Sequence, residues 1–219
     1  MELFTIGHSN HSIEVFITLL QQHQITALAD VRSHPYSRYV PHFNPKQLKP
    51  ALADANIRYV FLGQELGARP DDPTCYVDDK AVYERIASTE CFKEGIQRLV
   101  KGAETYKIAL MCAEKDPITC HRAILICQYV RDYDLTINHI LASGDLESHQ
   151  QLEERLLKLQ GLSSVASSNA DQLTLFDQLF GESLVHQTEI LDPLEEAYRR
   201  QGDQIAYVDK KESHNERET

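Results

Sequence analysis

The sequence has no apolar run approaching the roughly 20 residues that span a bilayer, although apolar residues make up 42% of its 219 positions. It does not open with a basic segment followed by an apolar one, so there is no secretory signal to read. The expectation is a cytoplasmic protein with no membrane partner. Cysteine is sparse and odd in number. The five, Cys75, Cys91, Cys112, Cys120 and Cys127, are scattered through regular-looking segments, which excludes a secreted disulfide framework and predicts reduced thiols. Positive charge is also short: 22 Lys and Arg against 33 Asp and Glu give a net charge of -11, which argues against broad affinity for phosphate backbones. No internal repeat is present.

What charge there is lies unevenly. Residues 1–142 hold 15 basic against 17 acidic side chains, leaving 7 against 16 for residues 143–219. The first part is close to neutral and can hold a local basic site without repelling an anion. Within it, strand-like and helix-like patterns alternate. Apolar runs at 3–6, 25–31, 57–62, 107–112 and 135–141 read as strands. Between them lie helical patterns at 12–22, opened by Ser12, at 44–55, opened by Asn44-Pro45, at 81–88, 90–105 and 120–132. This order predicts an α/β domain over 1–142: a mostly parallel five-stranded sheet with helices on both faces, a Rossmann-like three-layer arrangement. Residues 143–219 read as an acidic tail with a helix at 147–159, a Ser, Ala and Asn-rich linker at 161–170, a helix from Asp192-Pro193 and a disordered end from Lys210.

Ligands of such sheets bind beyond the carboxyl ends of the strands, so the loops after strands one to four should converge. The densest of them is in LMCAEKDPITCHR, where a strand ends at Cys112 and a helix opens at Cys120-His121-Arg122. Free N–H groups of a first helical turn, with Lys115 and Arg122 nearby and Thr119 as cap, would favour an anion and a thiolate. Cys112 and Cys120 are therefore candidate nucleophiles, with His121 as proton carrier. The other loops add Gly7-His8-Ser9-Asn10, Asp30-Val31-Arg32-Ser33 and Gln64-Glu65-Leu66-Gly67. His8 is a candidate base, Arg32 an anion clamp oriented by Asp30, and Ser9, Asn10, Ser33 and Glu65 are candidate substrate contacts. The loop 33–43 sets Arg38 and His42 among Tyr36, Tyr39 and Phe43, a mixture suited to phosphates and bases and to a lid. Zinc is the weaker reading of Cys112, Cys120, His121 and His8, because seven residues between the cysteines is not the short knuckle of structural zinc. A reversible Cys112–Cys120 disulfide is a further alternative.

Taken together, TIGHSN, DVRSHPYSR, LGQELG, CAEKDPITCHR and the late LEEAYRRQGDQIAY resemble the bacterial and archaeal family called domain of unknown function 488, over most of the chain. That resemblance implies kinship rather than a reaction. Asp30-Val31-Arg32 after a strand, with a cysteine loop after a later one, is similar to rhodanese and cysteine-phosphatase architecture, although the stretch 112–122 is longer than a phosphatase loop. Cys120-His121-Arg122 resembles the active-site tripeptide of alkylguanine-DNA alkyltransferases, with Thr119 where those enzymes have proline.

In the acidic segment, Gln172-Leu173-Thr174-Leu175-Phe176 looks like the pentapeptide by which bacterial polymerases and repair proteins dock on the replication sliding clamp. Gln172 would make polar contacts, while Leu173, Leu175 and Phe176 would fill an apolar pocket. The competing reading is an amphipathic turn packed on the domain, since Leu179, Phe180 and Leu184 continue the apolar pattern. The expected function is thus a cysteine-dependent, DNA-maintenance or repair-associated enzyme tethered to the clamp, a transferase or hydrolase without a cofactor. One alternative is a cytosolic cysteine-dependent enzyme acting on a small phosphorylated metabolite. Another is a non-enzymatic clamp-binding adaptor.

Overall fold

The computed structural model describes residues 1–163 and 192–209. The docking peptide at 172–176 and the stretch 210–219 lie outside the described residues.

The strands are β1 (Glu2–Gly7), β2 (Ala27–Asp30), β3 (Arg58–Phe61), β4 (Tyr76–Val77), β5 (Lys80–Ala81), β6 (Ile108–Cys112), β7 (Thr136–Ile140) and β8 (Leu146–Ser148). Six of them form the central sheet in the order β3-β2-β6-β1-β7-β8. The five expected strands pair in parallel, and β8 adds a sixth, antiparallel to β7. This extra strand follows a tight turn in which Gly144 takes φ +90°, a backbone shape that side-chain-bearing residues avoid. Ser143-Gly144-Asp145 is a hairpin signal that an end to the sheet at Leu141 leaves unused. A second small hairpin, β4-β5, takes in Ala81, so the helix expected at 81–88 begins at Tyr83.

Helices α1 (Ile13–Gln22), α2 (Pro45–Asp54), α3 (Gly63–Leu66), α4 (Tyr83–Ser88) and α5 (Glu90–Ala103) follow the expected pattern apart from short α3. The segment after β6 is wound as a π-helix, Arg122–Cys127, and continues into α6 (Gln128–Val130). Then come α7 (His149–Leu159) and α8 (Pro193–Ile205). Ser12 caps α1 as its position predicts, its hydroxyl accepting from Val15 N. Ser148 and Gln151 close a reciprocal capping box on α7.

Strand alternation divides the core in two. On one face Phe4, Ile6, Leu28, Ala109 and Met111 pack against Phe16 and Leu20 of α1 and Leu48 and Leu52 of α2. On the other, Leu3, Ala27, Ala29, Ile108, Leu110 and Cys112 meet Phe92, Ile96 and Leu99 of α5 and Ile124 and Leu125 of the π-helix. Each of the Leu, Ile, Phe and Met side chains, fully buried, stabilises the fold by about 1.5–3 kcal/mol. Leu156 of α7 and Ala197 and Tyr198 of α8 belong to this second core. The described part of 143–209 is therefore built onto the sheet domain, and the sheet itself runs past residue 142. No described helix is long and apolar enough to cross a membrane.

Candidate functional site

The strand order sets β6 between β2 and β1, so the loop leaving β6 is flanked by the loops leaving both neighbours. Backbone bonds hold the three ends together: His8 N donates to Cys112 O at 2.9 Å, Ser9 N to Ala113 O at 2.9 Å and Val31 N to Met111 O at 3.1 Å. The approach is close enough to require Gly7, where a Cβ would lie 1.9 Å from Glu114 O. Asp116 holds the loop's far side: its Oδ1 accepts from Ile118 N, and Arg155 of α7 grips both of its carboxylate oxygens at 2.8 Å. Thr119 does not cap the following helix as its position suggests. Its hydroxyl donates to Asp116 O within the turn Pro117–Thr119.

Arg122 crosses beneath the loop. Its Nη1 donates to Glu114 O at 2.9 Å, Nη2 to Lys115 O at 3.4 Å and Nε to Thr5 Oγ1 at 3.4 Å. At 0% exposure it fixes the loop from inside and is not presented to a bound anion. Arg32 is likewise tied to the protein. Its Nε and Nη2 donate to the two oxygens of Asp30 at 2.8 and 2.6 Å, Nη2 also to Phe43 O at 2.8 Å, and Nη1 to His8 Nε2 at 3.3 Å. Tyr59 Oη adds a bond to Asp30 at 2.9 Å. His8 must donate from Nδ1 to Ser9 O, so its Nε2 carries the lone pair that Arg32 uses. Burial lowers the His8 pKa to about 4, which keeps it neutral in this role.

The chemistry gathers at Cys112, Cys120 and His121. Their sulfurs and Nδ1 lie within 4.8 Å of one another, and all three residues are buried. His121 Nε2 stands 3.0 Å from Val31 O, and a carbonyl only accepts, so this nitrogen carries a proton. Nδ1 then faces the sulfurs, 3.6 Å from Cys112 and 3.9 Å from Cys120. Burial alone would raise the Cys120 thiol, but the Cys112 S–H, the Arg122 guanidinium and the His121 ring together bring it well below the usual cysteine range. Cys112 moves the opposite way, raised by its hydrogen bond with Cys120 and then by burial. Desolvation and the adjacent Cys120 raise Glu114, whose Oε2 lies within hydrogen-bond distance of Cys120 Sγ at 2.9 Å. His121 is raised because Cys120 and Glu114 outweigh the effect of its burial.

Above these groups is a cavity of about 200 Å³. Cys112, Cys120, His121, Glu114, Arg32 and Ser33 line it, as do groups not singled out in the sequence: Tyr83, Arg69, His34 and Tyr207. Tyr207 follows α8 and carries the Arg69 guanidinium 4.2 Å from its ring centre, so the late segment closes one wall. His34 falls within DVRSHPYSR and Tyr207 ends LEEAYRRQGDQIAY, whereas Arg69 lies two residues past LGQELG and Tyr83 lies in none of these motifs. A larger cleft of about 770 Å³ shares Ser33, His34 and Arg69 with the cavity. Glu65 lines that cleft, paired with Arg98 at 2.5 Å. His8, Asp30, Ser9, Asn10, Lys115 and Arg38 are not brought to the cavity wall. Arg38 sits over the Tyr39 ring at 4.7 Å, and Ser9 Oγ donates to Asn10.

No curated protein and no solved structure matches the chain. The profile of the family described as domain of unknown function DUF488 matches residues 12–129, which hold β2, β3, β6 and the whole cysteine loop. That is more than half of the 219 residues, and the chain belongs to the DUF488 family.

Proposed function

We propose that this chain is a cysteine-dependent enzyme of DNA maintenance, with Cys120 as nucleophile and His121 as its proton partner. The observation that carries the reading is the orientation of His121. Its Nε2–H is engaged by Val31 O, so the ring can only offer Nδ1 to the two sulfurs. A thiolate held by an imidazolium and a buried guanidinium is an activated nucleophile. In the reaction, the Cys120 thiol proton passes to His121 Nδ1, Cys120 Sγ forms a bond to an electrophilic atom, and the leaving group departs with its electron pair and takes the proton from the imidazolium.

The cavity of about 200 Å³ is smaller than the usual pocket for a whole ligand, so it suits a reacting group, with the rest of the substrate in the adjoining cleft. The DNA context rests on Gln172, Leu173, Leu175 and Phe176, whose pattern suits a sliding clamp as partner. Docking there would supply a local concentration on DNA that an acidic chain does not generate by charge.

Two measurements test this reading. Labelling of the full chain with methyl methanethiosulfonate, read by mass spectrometry, should modify Cys120 at about pH 6 faster than exposed Cys91, and His121→Ala should remove the advantage. Equal or slower labelling of Cys120 would overturn the nucleophile. Binding to a bacterial sliding clamp should be lost in Leu175→Ala/Phe176→Ala. If the wild-type chain does not bind, the DNA context falls and thiol chemistry on a small anionic metabolite takes its place.

A further inference from the structure

We propose that Cys112, Cys120 and His121 form a binding site for a soft divalent cation of the zinc type, with its fourth coordination position open to the cavity. In a tetrahedral site with arms of roughly 2.3 Å to sulfur and 2.1 Å to nitrogen, sulfur and nitrogen are about 3.6 Å apart. The two sulfur–nitrogen separations here are 3.6 and 3.9 Å. All three ligand atoms lie within 4.8 Å of one another, and two sulfurs on such an ion are about 3.8 Å apart, so the site closes on one ion with a shift of about 1 Å at most.

An independent observation is the bond from His121 Nε2 to Val31 O at 3.0 Å. A metal-ligating histidine needs its other ring nitrogen held in this way, because the bond fixes both the tautomer and the ring plane. Among the described residues this is the one group of His, Cys and carboxylate ligands close enough to hold an ion. His8 does not join it, since its Nε2 lone pair accepts from Arg32. Three protein ligands beneath a cavity are the pattern of an open site, whereas a structural zinc would be closed by a fourth. On binding, Cys112 gives up its thiol proton and the Cys120–His121 pair the proton it holds, and two thiolates with a neutral imidazole balance the charge of the dication.

The inference uses the same sulfurs as the proposed nucleophile. A cation draws charge from the thiolate it binds and stands between the sulfur and the cavity, so occupancy holds the thiol chemistry down. Cation level then regulates the site.

The test titrates the full chain, freed of metal by a chelator under reducing conditions, with Co²⁺ and then Zn²⁺. The expected result is one Co²⁺ per chain with a thiolate-to-cobalt charge-transfer band, displaced by Zn²⁺. Cys112→Ser and His121→Ala should each weaken binding by at least about 100-fold, and Cys91→Ser should leave it unchanged. Absence of the band, or unchanged affinity in both variants, overturns the site. Wild-type labelling separates this outcome from failure of the nucleophile and avoids reliance on variant folding. Cys120 that labels rapidly without metal and is protected by Zn²⁺ supports both readings. Rapid labelling that Zn²⁺ does not affect overturns the cation site alone. Tight Co²⁺ binding with a Cys120 that stays inert without metal supports the cation site and overturns the nucleophile.

Discussion

Two buried polar clusters lie on the same side of the sheet, and they use their hydrogen-bonding capacity in opposite ways. One runs from Arg122 through Thr5, His139, His149 and Tyr198 to Glu153. Tyr198 Oη donates to Glu153 at 3.0 Å, so it accepts from His149 Nε2–H at 3.0 Å. His149 Nδ1 then accepts from His139 Nε2–H at 3.1 Å, His139 Nδ1 from Thr5 Oγ1–H at 2.8 Å, and Thr5 Oγ1 from Arg122. Each link donates in one direction and accepts in the other, and none of the links from Thr5 to Glu153 borders the cavity. Burial lowers both histidines, which keeps them neutral as the sequence of bonds requires. In the other cluster, two sulfurs and one nitrogen point at a common centre beneath open space. A closed chain of neutral groups marks the first as scaffold, and thiols of shifted acidity bordering a cavity mark the second as the working site.

Arg122 belongs to both, so replacing it should have the largest effect. Arg122→Met orphans the carbonyls of Glu114 and Lys115 and leaves Thr5 without its donor. At about 1–3 kcal/mol for each orphaned carbonyl, the loss should total roughly 2–6 kcal/mol in urea unfolding. Cys120 should also need a higher pH to react, because a stabilising cation is gone.

Acid should strain the scaffold through its neutral histidines. His8 and His149 have pKa values lowered by burial to about 4, against 6.5 when exposed to water. Between these values the unfolded chain binds more protons, so stability is highest above about pH 6.5 and falls as pH drops toward 4. Each histidine contributes at most about 3 kcal/mol to that fall. His8→Gln keeps a donor for Ser9 O and an acceptor for Arg32, and it should flatten the pH dependence of unfolding by His8's share. An unchanged slope would mean that His8 does not titrate in this window.

Much of this architecture was legible from periodicity. The five parallel strands, the Ser12 cap and the meeting of Cys112, Cys120 and His121 follow from local pattern plus the rule that strand ends converge. What escaped depends on tertiary partners. At Arg32 and Arg122 a sequence shows a cation's charge and not the carbonyls and carboxylate that hold it. The seven-residue gap counted against zinc because short spacings describe ligands on one knuckle. Here a strand end and a helix start bring the ligands together, and the intervening loop folds aside under Asp116 and Arg155. Tyr83, Arg69 and Tyr207 reach the cavity from three separate segments, which no local spacing reports.

Tyr198→Phe breaks the scaffold chain at its most specific point. Without the phenol oxygen, His149 Nε2–H has no acceptor there and Glu153 loses a donor. The cost should be about 1–3 kcal/mol. Labelling of Cys120 should not change, because Arg122 keeps its two carbonyl partners. A shift in the labelling profile would show that the two clusters are coupled through Thr5.

Cys112→Ala reverses that outcome and should cost the fold least, about 1 kcal/mol for a small buried group in the second core. Yet Cys112 supplies one of the hydrogen bonds that hold Cys120 as a thiolate. Its removal should shift the labelling profile of Cys120 to higher pH, with the urea midpoint nearly unchanged. A variant that lost stability and kept the profile would place Cys112 with the scaffold. The expected result, a small loss of stability with a large change in thiol reactivity, is what separates a group placed for chemistry from one placed for packing.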